Sequence, residues 1–410
     1  MKKSVMTILV PLYLLSAGTF ENYFYNVSGC VDKFLLVDKS KQKLWVVAAN
    51  DSETTVVADS FRVTTGRVPG NKEKEGDLKT PEGIYRVVRK LNGDGLPEKY
   101  GPLAFVLDYP NIVDKLEKKN GSNIWIHGRN ETIRDFQTEG CISLENGHIL
   151  DLATYIDLND TRIIILDSMD CNNPGWENVR QNLYSFFQNW KKNWNEGNLE
   201  PYFNCYSEDF TESGNSFQTF RERKRSLEKL YSWKKIEIDS LRFLISKREI
   251  LASFIQTYVS PNFTSYGEKE LVILRSGDTF KILREEFTRI GIRVSADEEI
   301  VAFLKKWQAA WEALDIESYM SFYSDKFSIE DKDISWFKSD KAQKFSKVRK
   351  VNLEISNISS HSSQVDHWVV NFRQVYEADN YKDVGVKTMI VEKQENGEFK
   401  ILNEVWRRSK

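Results

Sequence analysis

The sequence predicts a mostly β domain with small helices, followed by two α+β domains that are copies of one another. Between residues 33 and 167, short apolar runs rich in β-branched residues alternate with polar turns, which is typical of strands. A turn-rich segment at residues 170–175 ends this pattern. Beyond it, a set of aromatic residues recurs about 117 positions later, which indicates an internal repeat.

The first 18 residues have the character of an export signal. Lys2 and Lys3 precede an apolar run at residues 5–17, and small residues surround a cleavage position after Gly18. The run is shorter than the roughly 20 apolar residues that a spanning helix needs. We therefore expect a signal peptide at residues 1–18, a periplasmic protein, and no stable membrane anchor once the signal is removed.

Charge and cysteine content exclude several kinds of partner. The formal net charge of −2 becomes −4 without the two signal lysines, and because there is no basic stripe we expect no nucleic-acid partner. The four cysteines and four histidines lack the spacing of a zinc site, so neither a metal nor a cofactor is expected. Cys30 and Cys171 lie just outside the first and last predicted strands, a placement that allows a disulfide without fixing the pairing.

The β domain is predicted from its apolar runs, of which the first two form a hairpin across a polar turn. Strands are predicted at residues 34–38, 43–47, 56–58, 60–65, 83–88, 104–107, 123–127 and 162–166, with helical periodicity at 112–119 and 146–155. A long polar loop at residues 66–81 separates the fourth run from the fifth. The simplest fold is a β-rich sandwich with one or two small helices.

Two residues of this domain suggest chemistry. His127 closes one apolar run, and Cys141 opens the next run 14 residues later, directly after Gly140. Neighbouring strands would then supply a base and a nucleophile, the equipment for acyl transfer through a thioester. The alternative, a buried structural cysteine and a hydrogen-bonded core histidine, is the common outcome for an arbitrary pair.

The surrounding segments favour the chemical interpretation. They lie at residues 36–45, 65–66, 75–83, 96–101, 107–111, 127–128 and 138–142. Through them, residues 30–168 resemble the L,D-transpeptidase catalytic (YkuD-type) family, and more closely the branch with peptidoglycan L,D-carboxypeptidases of curved and helical Gram-negative cells. Several members of that branch append an NTF2-like domain after the catalytic one.

The resemblance implies roles for individual residues. Cys141 is the nucleophile, His127 the base, and the carbonyl of Gly128 orients the imidazole. Gly140 allows a close backbone approach, and its N–H and that of Cys141 are expected oxyanion donors. Much of the family has histidine where this chain has Glu139, which leaves His127 as the only histidine upstream of Cys141. Substrate binding is expected from Arg129, Lys72, Thr80, Trp125 and Glu139, although a solvated charged loop is the alternative for the residues of the 66–83 segment.

The repeat predicts two further domains, at residues 176–290 and 296–410. Trp190 and Trp194 recur as Trp307 and Trp311, and the matching tyrosine pairs are Tyr202 with Tyr206 and Tyr319 with Tyr323. Tryptophans four residues apart share one helix face, which is usually core packing. The order of a long helix, a short helix and a sheet resembles the NTF2-like cone fold, which does not by itself assign a function. His361 and His367 are expected on a surface hairpin, and we expect both domains to fold separately.

These observations lead to a functional expectation with alternatives. The resemblance implies a peptidoglycan L,D-carboxypeptidase that trims tetrapeptide stems to tripeptides and affects cell shape. A transpeptidase that forms 3-3 cross-links, or that attaches or cleaves a wall-linked protein, would use the same acyl enzyme. A third interpretation is a cell-wall-binding scaffold whose NTF2-like domains recruit a protein or glycan partner. The stem peptides are the expected substrate throughout.

Overall fold

The structure is a computed structural model of the 410-residue chain. It describes residues 20, 22–27, 32–49, 55–170, 175–231, 234–260, 263–290, 298–329, 332–364, 367–379, 381–394 and 396–408. The expected signal peptide, Cys30 and Cys171 of the expected disulfide, and the junction between the repeats lie outside these residues.

Contacts between Cα atoms divide the chain into two compact units. The first unit comprises residues 1–185, 241–252 and 272–281. The second comprises residues 186–240, 253–271 and 282–410. The division passes through the first repeat, so that two pieces of that repeat belong to the unit that contains the β domain.

The first part of the chain is built from strands with two short helices. In chain order its elements are β1 (Phe24–Asn26), β2 (Asp32–Asp38), β3 (Lys43–Ala49), β4 (Thr55–Arg62), β5 (Gly83–Asn92), β6 (Leu103–Leu107), α1 (Ile112–Leu116), β7 (Trp125–Arg129), β8 (Ile142–Glu145), α2 (Asn146–Leu152) and β9 (Arg162–Leu166). Single 3-10 turns lie at Gly93–Gly95, Glu98–Tyr100 and Ala153–Tyr155.

Eight of these strands form one sheet in the order β4-β3-β2-β9-β5-β6-β7-β8. Strand β9 lies between β2 and β5, and its residues Ile163, Ile164 and Ile165 are fully buried. A central strand that is covered on both faces is expected to be a continuous apolar run, as this one is. The first half of β5 pairs with β9 and its second half with β6, so this strand belongs to both halves of the sheet.

Several predicted boundaries differ from the structure, among them those of one pair of strands and of both helices. The run at 56–58 and the first residues of the run at 60–65 form one strand, β4, which ends at Arg62. A register shift opposite Val46 and Val47 absorbs the extra residue. Helix α1 begins at a capping box made by Asn111 and Asp114 and ends before Lys118, whose φ of 59° is left-handed. The predicted helix at 146–155 is α2 followed by a 3-10 turn.

The two repeats contain the same types of element in the same order. The first contains α3 (Gly175–Glu196), α4 (Leu199–Phe203), β10 (Tyr206–Glu212), β11 (Asn215–Ser216), α5 (Phe217–Leu230), β12 (Lys235–Ile245), β13 (Glu249–Ser260), β14 (Phe263–Ser276) and β15 (Thr279–Arg289). The second contains α6 (Glu298–Glu312), α7 (Ile316–Met320), β16 (Ser328–Ile329), β17 (Lys332–Asp333), α8 (Ile334–Phe345), β18 (Val351–Gln364), β19 (His367–Ala378), β20 (Tyr381–Lys393) and β21 (Phe399–Arg408). Strand order is β1-β12-β13-β14-β15-β10-β11 in the first and β18-β19-β20-β21 in the second.

The aromatic repeat is a buried network in each copy. Trp190 Nε1 donates to the Tyr206 hydroxyl at 2.9 Å, and Trp307 Nε1 donates to the Tyr323 hydroxyl at 3.2 Å. Each of these tyrosines contacts a buried glutamate that pairs with a buried lysine. The lysine–glutamate pairs are Lys269–Glu285, at 2.6 Å, and Lys387–Glu404, at 2.9 Å. The tryptophan pairs are therefore core residues, and the ion pairs are a feature that the sequence analysis missed.

Candidate active site

His127 and Cys141 are brought together by two parallel strands. His127 lies in β7 and is opposite Ser143 in β8, while Ile126 is opposite Ile142. Cys141 directly precedes β8, so it lies at the same edge of the sheet as His127. Both residues line one cleft of about 470 Å³.

The imidazole of His127 is held through its inner nitrogen. Nδ1 lies 2.7 Å from the carbonyl oxygen of Gly128, an arrangement that requires the proton on Nδ1 in the neutral ring. Nε2 is then the acceptor nitrogen, as a general base requires. The Tyr100 ring packs edge-on against the imidazole, with centroids 5.0 Å apart.

Close packing explains why residue 128 is glycine. A Cβ atom there would lie 2.6 Å from Asn146 Oδ1, 2.9 Å from an Ile149 methyl group and 3.0 Å from Pro102. Helix α2 therefore packs directly on the backbone that carries the acceptor carbonyl. This packing fixes the position of the carbonyl and, through it, that of the imidazole.

Burial keeps both reactive groups neutral. It raises the pKa of the Cys141 thiol above its ordinary 9.0, against the smaller lowering effects of the Trp125 backbone and the Lys72 charge. Burial also lowers the pKa of His127 below 6.5; the bond to Gly128 opposes this, and the charges of Arg129 and Lys99 add to it. The resting pair is thus a thiol beside a neutral imidazole.

Gly140 adopts a backbone conformation, in close packing, that only glycine allows. Its φ is +133°, and a Cβ atom would lie 2.8 Å from the carbonyl oxygen of Lys79. Its N–H donates to Thr138 Oγ1 at 3.2 Å, and that hydroxyl donates to the Cys141 carbonyl at 2.7 Å. In this arrangement the Gly140 N–H already has a partner, so a role as an oxyanion donor requires an exchange of that bond.

Basic side chains outnumber acidic ones in the cleft. The charged lining residues are Arg67, Lys72, Lys99, Arg129, Glu75 and Glu139. Arg129 pairs with Glu131, and Arg67 lies 3.8 Å from the exposed carboxylate of Glu139. Lys72 is buried and bonded to Asp77 at 2.8 Å, so its ammonium group also holds the loop together and is not a freely solvated charge.

Two expected substrate-binding residues do not line the cleft. Thr80 is 1% exposed, and its hydroxyl accepts the Gly66 N–H at 2.9 Å, which ties the two ends of the 66–83 loop together. Trp125 packs on Tyr100, with ring centroids 5.0 Å apart. Residues 55–170 are described without a gap, and neither side chain is part of the lining there. Their placement therefore favours structural roles.

Tyr100, Lys99 and Asn123 are among the lining residues that were not anticipated. Tyr100 and Lys99 belong to a segment that carries the family resemblance, so that segment was the available signal for them. Asn123 gave no sequence signal, because its contribution is a backbone carbonyl that lies 3.6 Å from Cys141 Sγ.

The second repeat contains a separate cavity of about 610 Å³. Its lining combines aromatic side chains, among them Trp311 and Tyr381, with Lys341 and the Lys387–Glu404 pair. The Lys341 ammonium lies 4.3 Å from the Trp311 ring centroid, and burial lowers its pKa to about 7.

The part of the chain that the structure describes contains neither a metal-binding cluster nor a helix suited to span a membrane. There, no group of three or more histidine, cysteine or acidic side chains is arranged to bind a metal ion. No helix in the same residues has the length and apolar character needed to cross a membrane.

Comparisons with known proteins agree with this architecture. The family model of the L,D-transpeptidase catalytic domain matches residues 32–165, and that of the Cds6 C-terminal NTF2-like domain matches residues 182–286 and 299–405. The structure of Bd1075 from Bdellovibrio bacteriovorus is 31% identical, with a TM-score of 0.59 over 66% of this chain and 98% of that one. The helical cell shape determining protein Pgp2 from Campylobacter jejuni is 27% identical, with a TM-score of 0.52 over 65% and 95%. No curated protein matches the chain.

These matches confirm the predicted family and fold class. The NTF2-like model matches twice and accounts for about half of the chain, while the catalytic model contains both His127 and Cys141. Nearly the whole of Bd1075 is covered at 31% identity. The chain therefore belongs to the L,D-transpeptidase (YkuD-type) family, with two NTF2-like domains after its catalytic domain.

Proposed function

We propose that this protein is a periplasmic L,D-carboxypeptidase that trims the tetrapeptide stems of peptidoglycan to tripeptides. The supporting observation is a cleft in which Cys141 and the His127–Gly128 pair meet an excess of basic side chains. A stem that ends in D-alanine has a free carboxylate beside the scissile amide, and basic side chains bind such a group well.

The reaction proceeds through a thioester on Cys141. The thiol gives its proton to Nε2 of His127 while the sulfur attacks the carbonyl carbon. The imidazolium then protonates the departing D-alanine nitrogen as the C–N bond breaks. Water attacks the thioester and loses a proton to His127, which returns it to the sulfur as the tripeptide carboxylate leaves.

Two backbone N–H groups are proposed to stabilise the oxyanion, those of Gly140 and Cys141. The Gly140 N–H would exchange its bond to Thr138 Oγ1 for one to the substrate oxygen. The Gly128 carbonyl holds the same tautomer of His127 throughout, since Nδ1 remains its donor.

An effect on cell shape follows as part of the proposal. Pgp2 is a helical cell shape determining protein, and this chain is 27% identical to it. We extend that role to this chain because removal of D-alanine consumes the tetrapeptides that would otherwise donate cross-links.

Transpeptidation is the second candidate function, and the acidic residues of the cleft favour it. Glu139 and Glu75 line the same cleft as Cys141 and suit the ammonium group of an acceptor peptide or wall-linked protein. Amine and water compete for one thioester, so the acceptor decides between the two activities.

The test incubates the purified full-length enzyme with disaccharide tetrapeptide, alone and with excess D-amino acid or a second stem. Mass spectrometry of the products should show tripeptide and free D-alanine as the main products in both cases. Dominant 3-3 cross-links or exchange of the terminal D-amino acid would replace the proposal with the transpeptidase assignment.

We also propose that the second NTF2-like domain binds a glycan of the cell wall through its cavity. Aromatic rings suit sugar faces, and Lys341 and Lys387 suit the carboxylate of an anionic sugar. If the cavity instead holds a protein segment, the domain would act as the scaffold that recruits it.

Titration of the full chain with soluble glycan fragments, followed by intrinsic tryptophan fluorescence, tests this second proposal. Tyr381→Ala should weaken binding severalfold, since Tyr381 is 53% exposed and lines the cavity. Tyr184→Ala, at an exposed tyrosine of α3, is the matched control. Equal affinity for both variants would remove the cavity as the glycan site.

A further inference from the structure

The turn between β12 and β13 carries a charged pair, Arg248 and Glu249, that contacts the catalytic domain within the first compact unit. Arg248 donates to the Glu82 carbonyl at 2.7 Å and to the carboxylates of Asp114 at 3.1 Å and Glu117 at 2.6 Å. One guanidinium group thus joins the end of the 66–83 loop to helix α1.

Glu249 makes a second set of contacts to the same two segments. Its Oε1 accepts the Ile84 N–H at 2.7 Å, and Asn111 Nδ2 lies 3.4 Å from Oε2. Gly83 permits this approach, since a Cβ atom there would lie 2.5 Å from Glu249 Oε1 and 2.6 Å from the Arg248 guanidinium. The Glu249 side chain is only 3% exposed, so its carboxylate depends on these partners.

The first anchored segment leads to the nucleophile. Glu82 and Gly83 end the loop whose Lys79 carbonyl packs against Gly140, immediately before Cys141. Arg67, Lys72 and Glu75 of the same loop line the cleft. A shift of residues 82–84 would therefore move both the cleft lining and the backbone that packs on Gly140.

The second anchored segment also leads to the cleft, beside the first. Residues 117–124 follow helix α1 along the chain. In this segment the Asn120 N–H donates to the Glu73 carbonyl at 3.1 Å, and Asn120 Oδ1 accepts the Glu75 N–H at 2.8 Å. Gly121 and Asn123 line the cleft, and the Asn123 carbonyl lies 3.6 Å from Cys141 Sγ.

We propose that Arg248 and Glu249, although they belong to the first NTF2-like domain, are positioning residues of the catalytic cleft. They hold two adjoining segments that both contribute lining residues, and so set the shape of the cleft around the donor peptide. The inference deepens the proposed function and rests on it for the identity of the peptide, but not for the geometry around Cys141.

The test uses full-length Arg248→Ala, Arg248→Lys and Glu249→Gln. We expect Arg248→Ala to raise KM for the tetrapeptide about tenfold, because displaced lining residues bind the peptide poorly. The rate at which iodoacetamide alkylates Cys141, followed by mass spectrometry of its peptide, should change at least threefold. Arg248→Lys keeps the charge but loses the two-pronged contact, so its KM should lie in between.

Arg242→Ala is the matched control. Arg242 is also in β12 and pairs with Asp32 of the catalytic domain at 2.5 Å, but Asp32 begins β2 and does not line the cleft. Its loss should lower the melting temperature and leave KM and alkylation unchanged.

Two outcomes overturn the proposal. In the first, Arg248→Ala and Glu249→Gln lower the melting temperature as Arg242→Ala does, with wild-type KM and alkylation. In the second, Arg242→Ala changes KM and the alkylation rate of Cys141 as much as Arg248→Ala and Glu249→Gln do. If Arg248→Ala does not fold, Glu249→Gln and Arg248→Lys decide by the same measurements. Failure of the wild-type enzyme to release D-alanine would reject the proposed function alone, because alkylation of Cys141 still reports on the positioning role.

Discussion

At the scale of single residues, the environment of Cys141 and His127 determines when the proton moves. Burial raises the pKa of the thiol and lowers that of the imidazole, so the neutral pair is the resting state. The thiolate must therefore form as the sulfur attacks, with His127 as the acceptor of its proton. The proposed mechanism is therefore general-base catalysis and not attack by a preformed ion pair.

Loss of the nucleophile should abolish turnover without unfolding the protein. Cys141 is half-buried in front of β8, so Cys141→Ala should cost less than about 1 kcal/mol of stability. The expected fall in kcat is at least about 1,000-fold. The check is steady-state kinetics with a melting curve for each preparation, and activity of Cys141→Ala well above background would rule out the thioester.

The pH dependence should report His127. A base whose pKa is lowered stays neutral in more acidic solution, so the acidic limb of kcat/KM should lie below pH 6.5. Lys99→Gln removes a cation that lowers this pKa, and it should move the limb towards higher pH. If His127→Gln retained the wild-type limb, another group would be the base.

At the scale of elements, the contact between β7 and α2 holds His127, the proposed base, in place. Gly128 has no room for a side chain, and its carbonyl is the acceptor for His127. The position of the imidazole therefore depends on how helix α2 packs against the backbone of β7.

Gly128→Ala should disturb this contact and with it catalysis. The added methyl group meets Asn146 and Ile149, and we expect a loss of about 1–3 kcal/mol of stability. A kcat about 10- to 100-fold lower should accompany it, because the acceptor carbonyl moves. Gly147→Ala in α2 is the control, since its Cβ meets nothing within 4 Å and should leave kcat unchanged. A Gly128→Ala enzyme with normal kcat would contradict the orienting role of the carbonyl.

The buried ion pairs of the repeats also belong to this scale. Glu404→Gln leaves the buried ammonium group of Lys387 without its carboxylate partner, which should cost about 3–5 kcal/mol. Thermal denaturation measures the loss, and Glu398→Gln, at a carboxylate that is 65% exposed, should cost less than about 1 kcal/mol. Equal melting temperatures for the Glu404→Gln and Glu398→Gln proteins would mean that Lys387 loses its proton at little cost in free energy.

At the scale of the whole molecule, the catalytic domain makes contacts with residues that lie later in the chain, outside that domain. Arg248 and Glu249 satisfy Asp114 and the Ile84 N–H, both of which are buried. The first compact unit accordingly includes residues 241–252. We therefore expect the stability of the catalytic domain to depend in part on the first NTF2-like domain.

Two truncated proteins test whether the catalytic domain depends on the first NTF2-like domain for its stability. A protein with residues 19–170 lacks Arg248 and Glu249, and its melting temperature should lie at least about 5 °C below that of a protein with residues 19–290. The lost partners leave a buried carboxylate and a backbone N–H to be solvated. Equal melting temperatures and equal activity for the two proteins would support a fully independent catalytic domain.

Features that depend on neighbouring residues or on short motifs are predictable from the sequence alone. Alternating and helical periodicity predicted most strands and both small helices, the aromatic recurrence predicted two related domains, and the segments around His127 and Cys141 predicted the family. Which side chains are buried and which distant residues meet depends instead on how the chain packs. Thr80 lies inside a loop and not in the cleft, and Glu249 bonds to Ile84 across 165 positions. Such contacts cannot be predicted from a local sequence pattern, because the free-energy cost of burying a polar group depends on hydrogen-bond partners that only packing brings near.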